Sequence, residues 1–188
     1  MFLLSVLAVA FVGSRVPQAS VLTAMSVAEL AASADTIVVG KVTSTTSAWD
    51  PSHRRILSTI GIDVEERWKG IGPGRVVVVQ PGGTVGDIEM SVDGMPTFTL
   101  GERALLFLRG HDRFGVVGMA LGKRSVHWDA DRAAWFVESP AADNVFQIGE
   151  IGEIGEIGST GKLHPALVEQ RSSLESVRAY VRSLTGGS

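Results

Sequence analysis

Between residues 56 and 68 the chain alternates. The even positions are Ile56, Ser58, Ile60, Ile62, Val64, Glu66 and Trp68; the odd positions are Leu57, Thr59, Gly61, Asp63, Glu65 and Arg67. A strand turns successive side chains to opposite faces, so this pattern predicts a strand with one face on a core and one in water. A β-rich run at 36–46 precedes it. The run at 75–80 follows, and its four consecutive valines suit a strand buried on both faces. Further along, 104–108 (ALLFL) predicts a central strand and 114–121 another, with Gly115 and Gly118 allowing bends. The segments 123–128 and 133–138 predict a hairpin across 129–132. A ribbon through Val85, Ile88, Met90 and Val92 ends at Asp93-Gly94, a tight-hairpin signal whose short partner would be 96–100.

Two stretches change to helical spacing. Ser26 followed by Glu29 is a capping box, opening a short helix through Leu30 and Ala32. Ser172 followed by Glu175 repeats that pattern. Behind it Leu174, Val177, Val181 and Leu184 form one stripe flanked by Tyr180. Arg178 and Arg182 complement the helix dipole and Gly186 supplies a stop. Many short strands punctuated by Gly and Pro indicate a mainly β fold, a barrel or a sandwich. A long second strand that bends at Gly61 favours a small closed barrel, with the two helices on its ends or faces.

Composition adds an address. The chain has 188 residues, 45% hydrophobic and 20% charged, which suits one globular domain. Residues 2–12 are apolar except for Ser5, too short for a membrane anchor of roughly 20 residues but right for a signal-peptide core. Ala19 and Ser20 mark the cleavage neighbourhood. The expected organisation is a signal peptide at 1–20, a barrel domain at 21–145, a loop at 146–162 and a C-terminal helix at 163–188 packed on the barrel. The loop carries Ile-Gly-Glu in tandem; a period of three matches neither helix nor strand, so it reads as a surface loop lengthened by repetition. A periplasmic, outer-surface or secreted location follows, without a transmembrane anchor after cleavage. The chain has no cysteine, which excludes a disulfide scaffold, thiol catalysis and thiolate metal sites. A net charge of −3 gives no global field towards nucleic acid or an anionic membrane.

Four stretches carry a resemblance: Ala34-Asp35, Gly40-Lys41-Val42, VEERWKG at 64–70, and Gly101-Glu102-Arg103 leading into Leu106-Phe107-Leu108. They resemble uncharacterised bacterial exported proteins whose strand pattern is similar to the netrin-module and tissue-inhibitor-of-metalloproteinases barrel. The resemblance covers residues 34–121 and implies an OB-like (netrin-module-like) barrel with a short N-terminal and a C-terminal helix. Inhibitors of that family place an N-terminal cysteine amine on the catalytic zinc. This chain has no cysteine, so none of their functional residues carries over.

Catalytic motifs are scarce. There is no HExxH and no Gly-x-Ser-x-Gly elbow, and the glycine-rich 81–86 loop lacks the Gly-Lys-Ser/Thr ending of a phosphate loop. Alternation puts Glu65 and Glu66 on opposite faces, where they cannot act together. His111 and His127 with Asp112 or Asp129 offer the only zinc-type grouping. Two basic clusters, His53-Arg54-Arg55 and Lys123-Arg124, lie near Trp49 and Trp128, as a stacking groove for single strands would need; the negative net charge argues against it. The expected function is therefore a non-enzymatic binding or adaptor module of the cell envelope or extracellular space. Its partner would be another envelope or secreted protein, not nucleic acid, and no cofactor or metal is expected. The expected contact residues are Trp49, His53, Arg54 and Arg55 on a hairpin tip, with Thr84 on the 81–86 loop, because tryptophan and arginine are the usual interface anchors. A peptidase inhibitor or peptidase-associated protein is the alternative, and a metal-dependent hydrolase a distant third.

Overall fold

The computed structural model describes residues 25–138 and 172–186. The expected signal peptide, the repeat loop at 146–162 and part of the segment leading to the last helix lie outside them. Helix α1 (Val27–Ser33) opens as its sequence dictates: the Ser26 hydroxyl accepts from the Glu29 N–H, and the Glu29 carboxylate accepts from the Ser26 N–H. The strands follow as β1 (Thr36–Trp49), β2 (Ile56–Lys69), β3 (Arg75–Pro81), β4 (Gly83–Val85), β5 (Ile88–Met90), β6 (Arg103–Gly110) and β7 (Phe114–Val116). A 3-10 turn (Met119–Gly122) leads to β8 (Lys123–Asp129), β9 (Ala134–Val137), β10 (Ser172–Ser173) and helix α2 (Leu174–Thr185).

Five strands close on themselves in the order β1-β2-β3-β7-β6, with β6 pairing back to β1. The β3–β7 contact is parallel, Val78 opposite Phe114, and the others are antiparallel. This is a mainly β protein with a small closed barrel, OB-like in its strand order. Beyond Leu106, towards its N-terminal end, β6 pairs on its other edge with β8, which continues the sheet to β9 and β10.

Alternation along β1 and β6 sorts their side chains into two cores. Val38, Val42, Ala104, Leu106 and Leu108 point into the barrel, where Ile60, Ile62, Val76, Val78 and Phe114 meet them. Ile37, Val39, Leu105 and Phe107 point outward, under Val27, Leu30 and Ala31 of α1 and Leu174 and Val181 of α2. The helices therefore cover the outer face of β1 and β6. A strand with a core on each side reads as an unbroken apolar run, which accounts for 104–108.

Several expectations need correction. Strand β3 is buried on one face: Val76 and Val78 enter the barrel, while Val77 and Val79 are half-exposed. Asp93-Gly94 does form a turn, closed by the Met95 N–H on the Val92 carbonyl, but joins no strands. The hairpin turns earlier, at Gly86, because Val85 pairs with Ile88. The 114–121 strand stops at Val116, where Gly118 at φ 64° starts the 3-10 turn. The cap of α2 is Ser173, accepting from the Ser176 N–H, one residue later than the capping box predicts. Glu175, left outside that box, pairs with Arg178 instead.

Candidate contact surface

The β1–β2 hairpin runs past the barrel to a tip at 50–55, organised by Asp50. Its buried carboxylate accepts from the Arg54 N–H at 2.8 Å, the Arg55 N–H at 3.3 Å and the Ser52 hydroxyl at 2.8 Å. The Arg55 guanidinium stands 3.5 Å away. These donors, the Arg54 N–H foremost, hold the Asp50 carboxyl below the ordinary aspartate range. The Asp50 N–H donates to the Arg55 carbonyl, and the His53 N–H donates to the Asp50 carbonyl. His53 sits at φ 51°, a left-handed conformation that histidine tolerates better than most residues. Its ring stacks on Trp49, with centroids 6.3 Å apart and planes at 27°.

His53, Arg54 and Arg55 are exposed, as a contact surface requires, but Trp49 is half-buried. The cause is a register shift. A bulge between Val42 and Ser44 moves the parity of β1, so Trp49 comes opposite the fully buried Ile56. Thr84 is exposed on β4, opposite Glu89. Gly83 beside it crosses the ribbon at Ser47 and Ser58, so closely that a β-carbon would collide with both hydroxyls. The Ser58 hydroxyl donates to the Gly82 carbonyl at 2.8 Å. The fold thus brings the 81–86 segment to within two residue pairs of Trp49 along the ribbon.

Removing the Asp50 carboxylate unties this tip. Asp50→Ala is expected to make the Arg54 and Arg55 amides exchange much faster while the β2–β3 amides keep their protection. Hydrogen exchange followed by NMR measures both. In the wild type the lowered Asp50 pKa fixes the sign of the pH effect: the stabilisation is complete above the unfolded pKa and is lost as pH falls through the lower folded one. The Arg54 amide shift should titrate with a midpoint below that of an aspartate in an unfolded peptide.

Sequence reasoning missed a second polar grouping. A bulge between Val39 and Gly40 on the β1–β2 register turns Glu65 and Glu66 towards one cavity of about 360 Å³, lined also by Val39, Arg103, Trp135 and Leu174. Simple alternation, which separates the two carboxylates, fails at a bulge. Glu65 accepts from Arg103 at 2.9 Å, and the Arg103 guanidinium lies 3.8 Å over the Trp135 ring. Glu66 accepts from Arg178 of α2 at 2.8 Å and from the Trp68 indole at 3.0 Å. Both carboxylates are held as ion pairs, an arrangement that clasps α2 and β9 to the barrel. Glu66→Gln keeps the acceptor for Trp68 but loses the charge, and a half-exposed pair contributes about 1 kcal/mol at most. Urea unfolding should show a loss of that size.

The other candidate residues do not converge. His111 sits in the turn after β6, whereas His127 on β8 lies past the opposite end of β6, paired with Glu138 at 3.1 Å. No group of three or more His, Cys, Asp or Glu suited to a metal ion occurs among the described residues. Lys123 and Arg124 are not a solvent-facing cluster: Lys123 pairs with Glu102 at 2.7 Å, and Arg124 is buried on β8. Burial lowers the Arg124 guanidinium to about 10, so it remains charged at neutral pH.

The class is thus an OB-like barrel, covered on one side by two helices, with an organised hairpin tip beyond its end. No known protein family, curated protein or solved structure matches the chain. Among the described residues no helix is long and apolar enough to cross a membrane.

Proposed function

We propose that this chain is an exported, non-enzymatic binding module of the cell envelope or extracellular space, and that the β1–β2 tip is its contact surface. The observation that carries the reading is the organisation of the tip. Asp50 fixes the backbone from within, so His53, Arg54 and Arg55 are presented outward without a large ordering cost on binding. In barrels of this strand order the loop between the first two strands is a common ligand site. Affinity capture from an envelope extract, read by mass spectrometry, tests it. The chain from residue 21 should recover a partner that Arg54→Ala and Trp49→Ala lose. Arg54→Ala is the decisive variant, since it removes only an exposed side chain; unchanged recovery with it sinks the proposal.

A second reading is peptidase inhibition or association. A closed barrel with two helices favours it, through the resemblance to the netrin-module and metalloproteinase-inhibitor pattern. With no cysteine amine to offer a zinc ion, such a role would need a different contact. Assays against zinc peptidases are the test, and no inhibition at micromolar protein rejects it.

A further inference from the structure

Strand β1 is used unequally along its length. Over Thr36–Lys41 it has β6 on one edge and β2 on the other. The ladder to β6 then gives way to a turn: the Gly101 N–H donates to the Val42 carbonyl and the Val42 N–H to the Glu102 carbonyl, both at 2.9 Å. From Ser44 to Trp49 the strand continues for six more residue pairs with β2, in unbroken register. Among the described residues no strand pairs with its other edge there.

Open edges are usually blunted by charge, proline or a bulge. The stretch Ser44-Thr45-Thr46-Ser47-Ala48-Trp49 carries no charge and no proline, and the register shift at Thr43 precedes it. Thr45, Thr46 and Ala48 are exposed. Leu100, beside the turn that ends the β6 ladder, is 68% exposed and offers an apolar contact at the start of the open edge.

We propose that this edge takes up an extended, acidic-ended polypeptide segment of the partner as an additional strand alongside β1. The proposal rests on the tip reading and deepens it, because the open edge runs directly into the tip. The choice of occupant follows from charge. Lys41 is exposed at one end of the edge and His53, Arg54 and Arg55 at the other. Three of the nearby acids are engaged. Glu102 pairs with Lys123 at 2.7 Å, Asp63 faces Arg75 at 3.9 Å, and the Asp50 carboxylate is turned into the tip. Asp87 and Glu89 belong to the β4–β5 ribbon, which crosses the face of the hairpin. From Lys41 to Trp49 the strand spans about 26 Å at roughly 3.3 Å per residue, so a nine-residue segment with an acid at each end reaches both basic ends. A second copy of β1 laid antiparallel would set Arg54 and Arg55 of one chain against Lys41 of the other, which disfavours self-pairing.

The test uses the intact, isotope-labelled chain and two probes: the peptide acetyl-Glu-Val-Thr-Val-Thr-Val-Thr-Val-Glu-amide and its analogue with lysine at both ends. The acidic-ended probe should protect alternate amides within 44–49 and bind at least ~10-fold tighter than the lysine-ended one. N-methylation of alternate probe residues should abolish binding in one frame and spare it in the other, the signature of a strand ladder. Perturbation confined to 50–55 would remove the edge and leave the tip reading intact. Equal binding of both probes, or no binding of either, overturns the proposal whatever the envelope capture recovers. Protection of 44–49 without peptide, together with a dimer in sedimentation, would assign the edge to a second copy and also overturn it.

Discussion

Phe107→Ala is expected to lower the folding stability by about 3–5 kcal/mol, the range for removing a fully buried phenylalanine. Phe107 has no exposed surface and is among the largest fully buried side chains described here. It lies on the outward face of β6 beside Ile37, Val39 and Leu105, under α1 and α2. The barrel wall on one side and the helices on the other have little freedom to collapse into the space, because β6 is also paired along both edges. At roughly 2–4 °C per kcal/mol for a chain of this size, the melting temperature should fall by about 10 °C. Equilibrium urea unfolding and calorimetry measure both quantities. A loss under 1 kcal/mol would mean that the helices do not pack over β6.

Gly40→Val should come second, with a loss of about 1–3 kcal/mol or more. Gly40 lies in β1 between Val64 of β2 and Ala104 of β6. A β-carbon there would stand 2.5 Å from the Asp63 carbonyl oxygen and 2.8 Å from a methyl of Ile62. The carbonyl belongs to a paired strand at a bulge, so it cannot move aside as the end of a flexible side chain can. Gly115→Ala is the matched control. It also lies in a barrel strand, without positive φ, and its β-carbon would meet nothing within 4 Å, so it should change stability by less than 0.5 kcal/mol. The same unfolding curves decide the comparison; equal effects at both sites would show that strand glycines, not close approach, set the cost.

Local rules explain most of the elements. Ser26 and Glu29 cap α1 as their spacing requires, and the apolar stripe of α2 buries Leu174 and Val181. The 56–68 alternation places Ile56, Ile60 and Ile62 inside with Ser58. The departures occur where an interaction between strands overrides the period of two. At Thr43 and again beside Gly40, a bulge changes which face the next residues occupy. Those two events half-bury Trp49 and bring Glu65 and Glu66 together. Nothing in the local pattern marks them, because a bulge is a mismatch between two strands rather than a property of either.

The tip was legible as a turn from Asp50-Pro51, and its exposed His53, Arg54 and Arg55 were legible as polar loop residues. That Asp50 would hold the turn from within required the backbone path, since four donor groups must converge on one carboxylate. That β1 has no second partner over 44–49 among the described residues was not legible, because edge and centre differ only in what lies alongside. By itself the amino-acid sequence determined the mainly β class, the two helices with the cap of the first and the stop of the second, and the barrel-sized set of strands. These depend on side-chain period and on backbone groups a few residues apart. Tertiary structure alone decided barrel closure through β1 and β6, the division into two cores and, among the described residues, which length of β1 has a strand on one edge only. Those are set by contacts between residues far apart in the chain, such as Thr36 with Leu108 and Lys41 with Arg103, where chain spacing carries no register.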